Sequence, residues 1–459
     1  MRAPLVIVAS SLAIGAIGAI GATTAACGLL TGVEWDKVNV HGDGSSGASG
    51  TSGTSGTSGT SGTSGTSGTS GVPSGDCTGD QVECLGADSV KCCPKGGEPG
   101  LPLTIAAGGQ NTCAITATGQ IKCWGAASGG QLGRGTAQFM ISSNVPLVVF
   151  RIPGGATQLA VGGSHVCAVV NSIFTCWGGN KSGQFGNGST DNSALPIPIA
   201  MPAAVDSIGA GSATTCASLA GKGLCWGDNA AFQGGNAIDA SRILTPKAVG
   251  GLQNLLSAPH SITAGHQHSC AIAADKNTYC WGTNGSNRLG SAGPTQSASA
   301  IAVTNSIGSA SDLALGESHG CVVVGSGVSC WGSNTFGEIG NDTTGNLPSN
   351  GALAVTGLAS GVTSVCAGTY HTCAVQAGVV KCFGDNSQGQ SGIAPDLARV
   401  PTNVQGLSGF VAKQVACGSF HTCALSTAGQ IKCWGSNQQG ERGDGTTDGK
   451  TSTPRDVKW

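Results

Sequence analysis

Seven times along the chain a short apolar run, a glycine-containing turn and a second short apolar run follow one another. The clearest copy spans Val415 to Gly443 and reads VACGSFHTCALSTAGQIKCWGSNQQGERG. HTCAL and IKCWG carry apolar, β-branched and aromatic residues, and STAGQ between them has turn chemistry, so the pair predicts a β-hairpin. Side chains alternate across a strand. That puts His421, Cys423 and Leu425 on one face and Thr422 and Ala424 on the other. In the returning strand Ile431 and Cys433 share a face and Trp434 lies opposite. Neither face is polar throughout, so the sheet is expected to be covered on both sides. A lone hairpin is not stable in water, and the neighbours it needs are the other copies.

Those copies begin near Ile105, Leu159, Ile208, Ile262, Leu313, Val365 and Val415, a period of about 50 residues that points to a propeller or a solenoid. Each has a short strand ending in Gly, the hairpin, and a Gly/Asn-rich loop. A further strand often starts at Pro, as in Thr245-Pro246, Val400-Pro401 and Thr453-Pro454. Four strands per copy make one propeller blade, whereas an open solenoid would need caps on its end sheets. The expected fold is all-β, a seven-repeat β-propeller over 101–459. Whether Thr453 to Val457 completes the last blade or pairs with the first is open at this level.

Two cysteines sit symmetrically about the turn of every copy, 9 or 10 residues apart. They are Cys113/Cys123, Cys167/Cys176, Cys216/Cys225, Cys270/Cys280, Cys321/Cys330, Cys373/Cys382 and Cys423/Cys433. Opposed residues of an antiparallel pair come close enough for a disulfide. A purely packing role for free thiols would tolerate Ala or Val in some copies. Cys366 and Cys417 stand in neighbouring repeats one register apart. That turns them to opposite faces, and no bridge between them is expected.

The N-terminus changes the compartment. Ala3 to Ala26 carries no charge after Arg2, and Thr24-Ala25-Ala26 precedes Cys27. Residues 1–26 read as an export signal, and the cysteine just after it resembles the lipidated residue of a bacterial lipoprotein, with Thr24 where that motif usually has Leu. Simple cleavage after Ala26 and an uncleaved anchor are the alternatives. All three place the rest outside the cytoplasm, on an outer membrane or cell surface, in the periplasm or in the medium. The 21 cysteines fit an oxidising compartment.

Residues 27–75 read as a low-complexity tether, with Gly, Ser and Thr dominating from about Gly42 and TSG triplets running from Thr51 to Gly71. Such a stretch has nothing to bury and is expected to act as a flexible spacer, with a reach of roughly 30 Å. Residues 76–100 form a small Cys-rich segment. Cys77, Cys84, Cys92 and Cys93 allow three disulfide connectivities. A zinc site is the rival, without separated CxxC knuckles or a nearby His.

The repeat resembles that of the regulator of chromosome condensation family. The hallmark G-x-x-H-[ST]-x-A-[LV] stands as Gly418 to Leu425 and Gly368 to Val375. W-G-x-N-x-x-G-[QE]-x-G stands as Trp434 to Gly443, Trp177 to Gly186 and Trp331 to Gly340. Asn111 and Thr214 replace the His, Phe383 the Trp and Ala127 the Asn, and the paired cysteines are additional to the basic motif. The resemblance implies a seven-bladed propeller whose relatives are mostly binders, among them secreted β-lactamase inhibitors and a nuclear exchange factor for a small GTPase. An exported chain would not meet that factor's nucleotide-bearing partner, so exchange is not expected here.

His165, His268, His319, His371 and His421 recur once per repeat. Symmetry would place them in separate blades, too far apart to share an ion, so each is expected to be buried and hydrogen-bonded to a neighbouring turn. His266 is an extra imidazole beside His268. No G-x-S-x-G elbow, P-loop, H-E-x-x-H or repeated carboxylate pair appears. Net charge is −2 with no basic stretch, which argues against nucleic acid. Expected, then, is a non-enzymatic, cofactor-free, monomeric propeller that binds a protein at the cell envelope, held to the membrane through Cys27. A carbohydrate-binding or carbohydrate-active propeller is the alternative. The irregular apolar segment Gln138 to Pro153 offers Phe139, Met140, Phe150 and Arg151 as a candidate binding loop.

Overall fold

A computed structural model describes residues 81–85, 90–94, 100–135, 141–237, 241–252, 261–306, 308–345, 351–394 and 396–459. The signal, Cys27, the tether, Cys77, Phe139 and Met140 lie outside the described residues. Of the Cys-rich segment, strands Gln81–Leu85 and Val90–Pro94 pair antiparallel. No described helix is long and apolar enough to cross a membrane.

From Pro102 onward the chain forms seven four-stranded antiparallel sheets, each from one contiguous repeat with its strands in chain order. Blade 1 runs from the inner strand Pro102–Ala107 to the outer strand Ser143–Val148. Blade 7 runs from Ala412–Cys417 to Lys450–Asp456. The outer strand Lys450–Asp456 pairs with Ile431–Ser436, so the C-terminal segment completes the last blade and is not lent to the first. The all-β, seven-bladed expectation holds.

The middle hairpin of every blade is buried on both faces. In blade 7 His421–Ser426 and Ile431–Ser436 align Thr422 with Trp434 and Cys423 with Cys433. Ala424, Leu425 and the two cysteines are all fully covered. Each blade carries one disulfide across this hairpin. In order they join Cys113 to Cys123, Cys167 to Cys176, Cys216 to Cys225, Cys270 to Cys280, Cys321 to Cys330, Cys373 to Cys382 and Cys423 to Cys433. The Cα–Cα distance is 4.1 Å in all seven. The two cysteines face each other directly in the strand register whether 9 or 10 residues separate them, because the turn takes up the difference. The blade faces meet as a chain of cores. Trp124, Trp177, Trp226, Trp281, Trp331 and Trp434 are each buried, with Phe383 in the equivalent place in blade 6.

The repeated W-G has a steric cause. Gly435 has φ 103°, and a Cβ there would lie 2.5 Å from the Phe420 carbonyl oxygen. The backbone is left-handed and crowded at once, so only glycine fits. The same residue marks a register shift in the pairing with the outer strand.

Cys366 and Cys417 depart from expectation: they are bonded, with their Cα atoms 5.5 Å apart. The register argument is sound within one sheet, but these cysteines belong to two. Adjacent blades face each other front to back, so side chains on opposite faces of equivalent strands point at one another. The one-residue offset therefore makes the bridge. Among the described residues it is the only disulfide that crosses between blades.

Blade 7 closes on blade 1 without exchanging a strand. The Gln414 side chain bonds Thr104 and both backbone groups of Ile105 at 3.0 Å. The indole N–H of Trp124 donates to the Glu441 carbonyl at 2.8 Å. Trp459 packs edge-on against Trp124, with Lys122 over its ring and its indole N–H donating to the Gly100 carbonyl.

Candidate functional site at the channel mouth

The inner strands of all seven blades surround a channel of about 270 Å³. At one end each inner strand turns into the second strand through the G-x-x-H segment. These turns form the channel mouth, and the loops joining third and outer strands emerge on the same side.

The imidazole after each turn is structural. His165, His319, His371 and His421 share hydrogen bonds of 2.7 to 3.0 Å with Thr215, Thr372, Thr422 and Thr112 of the next blade. The partner is thus a hydroxyl on the neighbouring sheet, where a turn was expected. Thr215, Thr372 and Thr422 each donate onward to a backbone carbonyl, of Gln184, Glu338 and Gln390. Their oxygens therefore accept from the ring, and the proton sits on Nε2 of His165, His319 and His371. Burial lowers the pKa to about 4 for His165, His319 and His421 and to about 3 for His371, so the rings are neutral. Glycine is needed beside them: a Cβ on Gly418 would lie 2.1 Å from His421 Cε1 and 2.5 Å from the Gly108 carbonyl oxygen. Where the next blade offers Val166 or Gly320 in place of Thr, the cross-blade bond is missing. Asn111 and His268 then have buried polar atoms without partners.

The turns also bond to each other. Gly109, Gly163 and Ser212 N–H groups donate to Gly162, Gly211 and Gly265 carbonyls, Thr369 donates to Ser419, and Ser419 donates to Gly109. Among the described residues the belt has no counterpart from blade 4 to 5 or from blade 5 to 6. Blades 1 to 3 present Gly109-Gln110, Gly163-Ser164 and Ser212-Ala213 at the turn. Blades 4 to 7 present His266-Gln267, Glu317-Ser318, Thr369-Tyr370 and Ser419-Phe420.

Three aromatic rings meet there. Phe336, on the loop after the third strand of blade 5, lies 4.9 Å from Tyr370, which lies 6.5 Å from Phe420. Phe336 is 36% exposed, while Tyr370 and Phe420 are half-buried. Burial raises the Tyr370 pKa, and Glu317, Glu338 and Asp385 raise it further. Glu338 is fully buried and accepts from the Phe336 N–H at 2.7 Å and the Ser333 hydroxyl at 3.2 Å. Asp385 accepts from Gln390 at 2.7 Å and Ser387 at 2.8 Å. The Glu317 carboxylate has no hydrogen-bond or ion-pair partner among the described residues. On its blade 4 side Arg288 is held by the Gly285 carbonyl at 2.8 Å and by the Glu317 carbonyl.

The expected loop residues are elsewhere. Phe150 and Arg151 follow the outer strand of blade 1 and do not line the channel. Phe150 lies under the Arg134 guanidinium at 4.0 Å, and Arg151 is exposed. Reading down the two x positions of G-x-x-H would have found Glu317, Tyr370 and Phe420, since these are columns the fold leaves free; Phe336 stands at an x position of W-G-x-N-x-x-G. The hairpin cysteines stay away from the channel as well. Cys113, Cys167, Cys216, Cys270, Cys321, Cys373 and Cys423 sit on the second strands, and Cys123, Cys176, Cys225, Cys280, Cys330, Cys382 and Cys433 on the third, with no accessible surface. Their part is to staple each blade. Only Cys366 and Cys417, on inner strands, line the channel. The sulfurs of Cys366, Cys373 and Cys417 lie within 4.8 Å of one another. All three are consumed in disulfides, so the cluster offers no thiolate to a metal.

Fold and mouth together define a disulfide-stapled repeat propeller. Its repeats are those of the regulator of chromosome condensation (RCC1), whose models match residues 104–131 and 412–441 and, for a second form, 378–425. The chain is similar to the probable E3 ubiquitin-protein ligase HERC4 of Mus musculus, 34% identical over 341 residues, 72% of this chain and 32% of that protein. It is also 33% identical to the probable E3 ubiquitin-protein ligase HERC6 of Homo sapiens over 200 residues, 42% of this chain and 19% of that protein. It spans about a third or less of the length of these relatives. Prp20p of Saccharomyces cerevisiae has the same fold, with TM-score 0.65, 22% identity and coverage of 75% and 87%. So does human WBSCR16, with TM-score 0.65, 17% identity and coverage of 74% and 94%.

Proposed function

We propose that this chain is a non-catalytic protein-binding propeller, displayed outside the cytoplasm on the Gly/Ser/Thr tether and held to a membrane through a lipidated Cys27. The observation that carries the binding part is the asymmetry of the channel mouth. A repeat fold makes every blade alike, yet Glu317, Phe336, Tyr370 and Phe420 gather in blades 5 to 7 with no packing duty that the other blades share. Contacts on loops over a rigid scaffold are where propellers recognise partners. The solved fold relatives fit the reading. The structure of Prp20p was described with its binding to Gsp1p and histones, and another with Kap60 bound. No catalytic constellation accompanies the mouth among the described residues, and the ligase activity named for the curated relatives belongs to proteins of which this chain matches a minor part. Eight disulfides among the described residues suit an oxidising, extracellular setting.

Carbohydrate binding is the second reading, favoured by the three aromatic rings on which a sugar could stack. The test is cross-linking of the membrane-extracted full-length protein, wild type beside Phe336→Ala/Tyr370→Ala/Phe420→Ala, with a glycan array in parallel and intact mass of the mature form. Protein adducts lost in the triple variant and a mass showing acylated Cys27 support the proposal. Glycan binding without protein adducts moves it to the second reading, and an unprocessed N-terminus removes the anchor.

A further inference from the structure

We propose that the mouth patch of blades 5 to 7 receives one basic side chain, Lys or Arg, from a protein partner, seated over Tyr370 between Phe336 and Phe420 with Glu317 as its counter-charge. This rests on the protein-binding reading and adds the chemistry of the contact.

The geometry carries it in three steps. Tyr370 is flanked by rings 4.9 Å and 6.5 Å away, and the Phe336 and Tyr370 planes are inclined by 40°. The tilted, half-exposed cluster presents ring surface to solvent, and aromatic faces attract cations through their quadrupole. Second, the groups that act electrostatically on Tyr370 are all acidic: Glu317, Glu338 and Asp385. Glu338 and Asp385 are fixed by the hydrogen bonds described above. Their positions are therefore preorganised. Glu317 makes no hydrogen bond or close ion pair among the described residues; the Arg288 guanidinium acts on it electrostatically from the blade 4 side, and its carboxylate can still meet an incoming cation. Third, the cation nearby, Arg288, is already tied to the Gly285 carbonyl and, across the blade 4–5 junction, to the Glu317 carbonyl, and is not among the groups that act on Tyr370. An apolar anchor would gain nothing from the carboxylates, and an acidic one would be repelled.

The chain has two tyrosines, Tyr279 and Tyr370. Full-length protein labelled with ¹³C-tyrosine therefore gives two sets of ring signals, assigned with Tyr370→Phe. Tyr279 belongs to blade 4 and bonds Asp275 at 2.9 Å, so it reports that the fold is intact. The probes are blocked pentapeptides with Lys, Arg, norleucine or Glu between glycines, and a cello-oligosaccharide. Expected is a saturable shift of the Tyr370 signals with Lys and Arg, about 10-fold weaker binding of norleucine, weakening by Glu317→Gln, and a still Tyr279. Equal response to norleucine, or no response of Tyr370 to Lys or Arg, overturns the inference. If the norleucine or Glu peptide binds better, the protein-binding reading stands and only its chemistry is wrong. If only the oligosaccharide shifts Tyr370, both fall.

Discussion

His421 of blade 7 meets Thr112 of blade 1 through a 2.7 Å hydrogen bond, although 309 residues separate them in the chain. The same bond recurs at three other blade junctions, so it is a unit of ring assembly, and here it sits at the seam. Thr112→Val keeps the volume and removes the hydroxyl, leaving a buried imidazole nitrogen unpaired. The expected loss is roughly 1–3 kcal/mol, read as a shift of the urea midpoint. No shift would mean that the seam does not depend on this contact.

Acid should loosen the ring. The imidazoles of His165, His319, His371 and His421 are held at about 3 to 4, and His268 well below its ordinary value, mainly through burial. The unfolded chain takes up these protons near pH 6.5. Between there and about 4 the unfolded state binds more protons, so stability is full above pH 6.5 and falls as pH drops through this window. Each imidazole contributes a slope of up to about 1.4 kcal/mol per pH unit. Urea midpoints at pH 7, 6 and 5 check it, and a flat profile would contradict neutral, buried rings.

The inter-blade bridge should open first. Cys366 and Cys417 are each 8% exposed and line the channel, whereas the seven hairpin pairs are fully covered. Limiting reductant followed by alkylation should label Cys366 and Cys417 before any of the hairpin cysteines. The bridge also closes 51 residues against 9 or 10 for the hairpin pairs. Chain entropy gives about 4 kcal/mol for the larger loop and about 3 kcal/mol for a small one. Cys366→Ala/Cys417→Ala should therefore cost more than Cys423→Ala/Cys433→Ala, after allowance for packing.

Two glycines separate crowding from backbone strain. Gly435→Ala would drive a Cβ into the Phe420 carbonyl, while Gly449, at φ 86°, has nothing within 4 Å. The second substitution should cost about 1–2 kcal/mol for the left-handed backbone alone. The first should cost more than that, measured by thermal unfolding of both variants side by side.

Much of this was legible because repetition multiplies weak signals. One HTCAL is a short apolar run; seven with cysteines in step specify hairpins, sheet number and blade count. Pairs such as Cys113 with Cys123 needed only the turn between them to be placed. Burial of the imidazoles followed from symmetry too. Their partners did not, because Thr112 and His421 lie at opposite ends of the repeat array and only ring closure joins them. The Cys366–Cys417 bridge lies beyond alternation rules, which describe one sheet, because the contact spans two. The mouth patch carries no repeated signal of its own, because Tyr370 and Phe420 occupy positions that the repeat leaves variable.

Because every sheet is one uninterrupted stretch of chain, the ring has no obligatory starting point. Trp459 already reaches the carbonyl of Gly100, so a short peptide joining the two would be a modest addition. A new opening could then be cut between any two blades without dividing a sheet. Such reordered chains should fold to the same ring, their only shared cost being entropy at the new gap. By the same logic, a blade could be duplicated or lost in one genetic step with its sheet intact, leaving the curvature of the ring as the restraint on how many it holds.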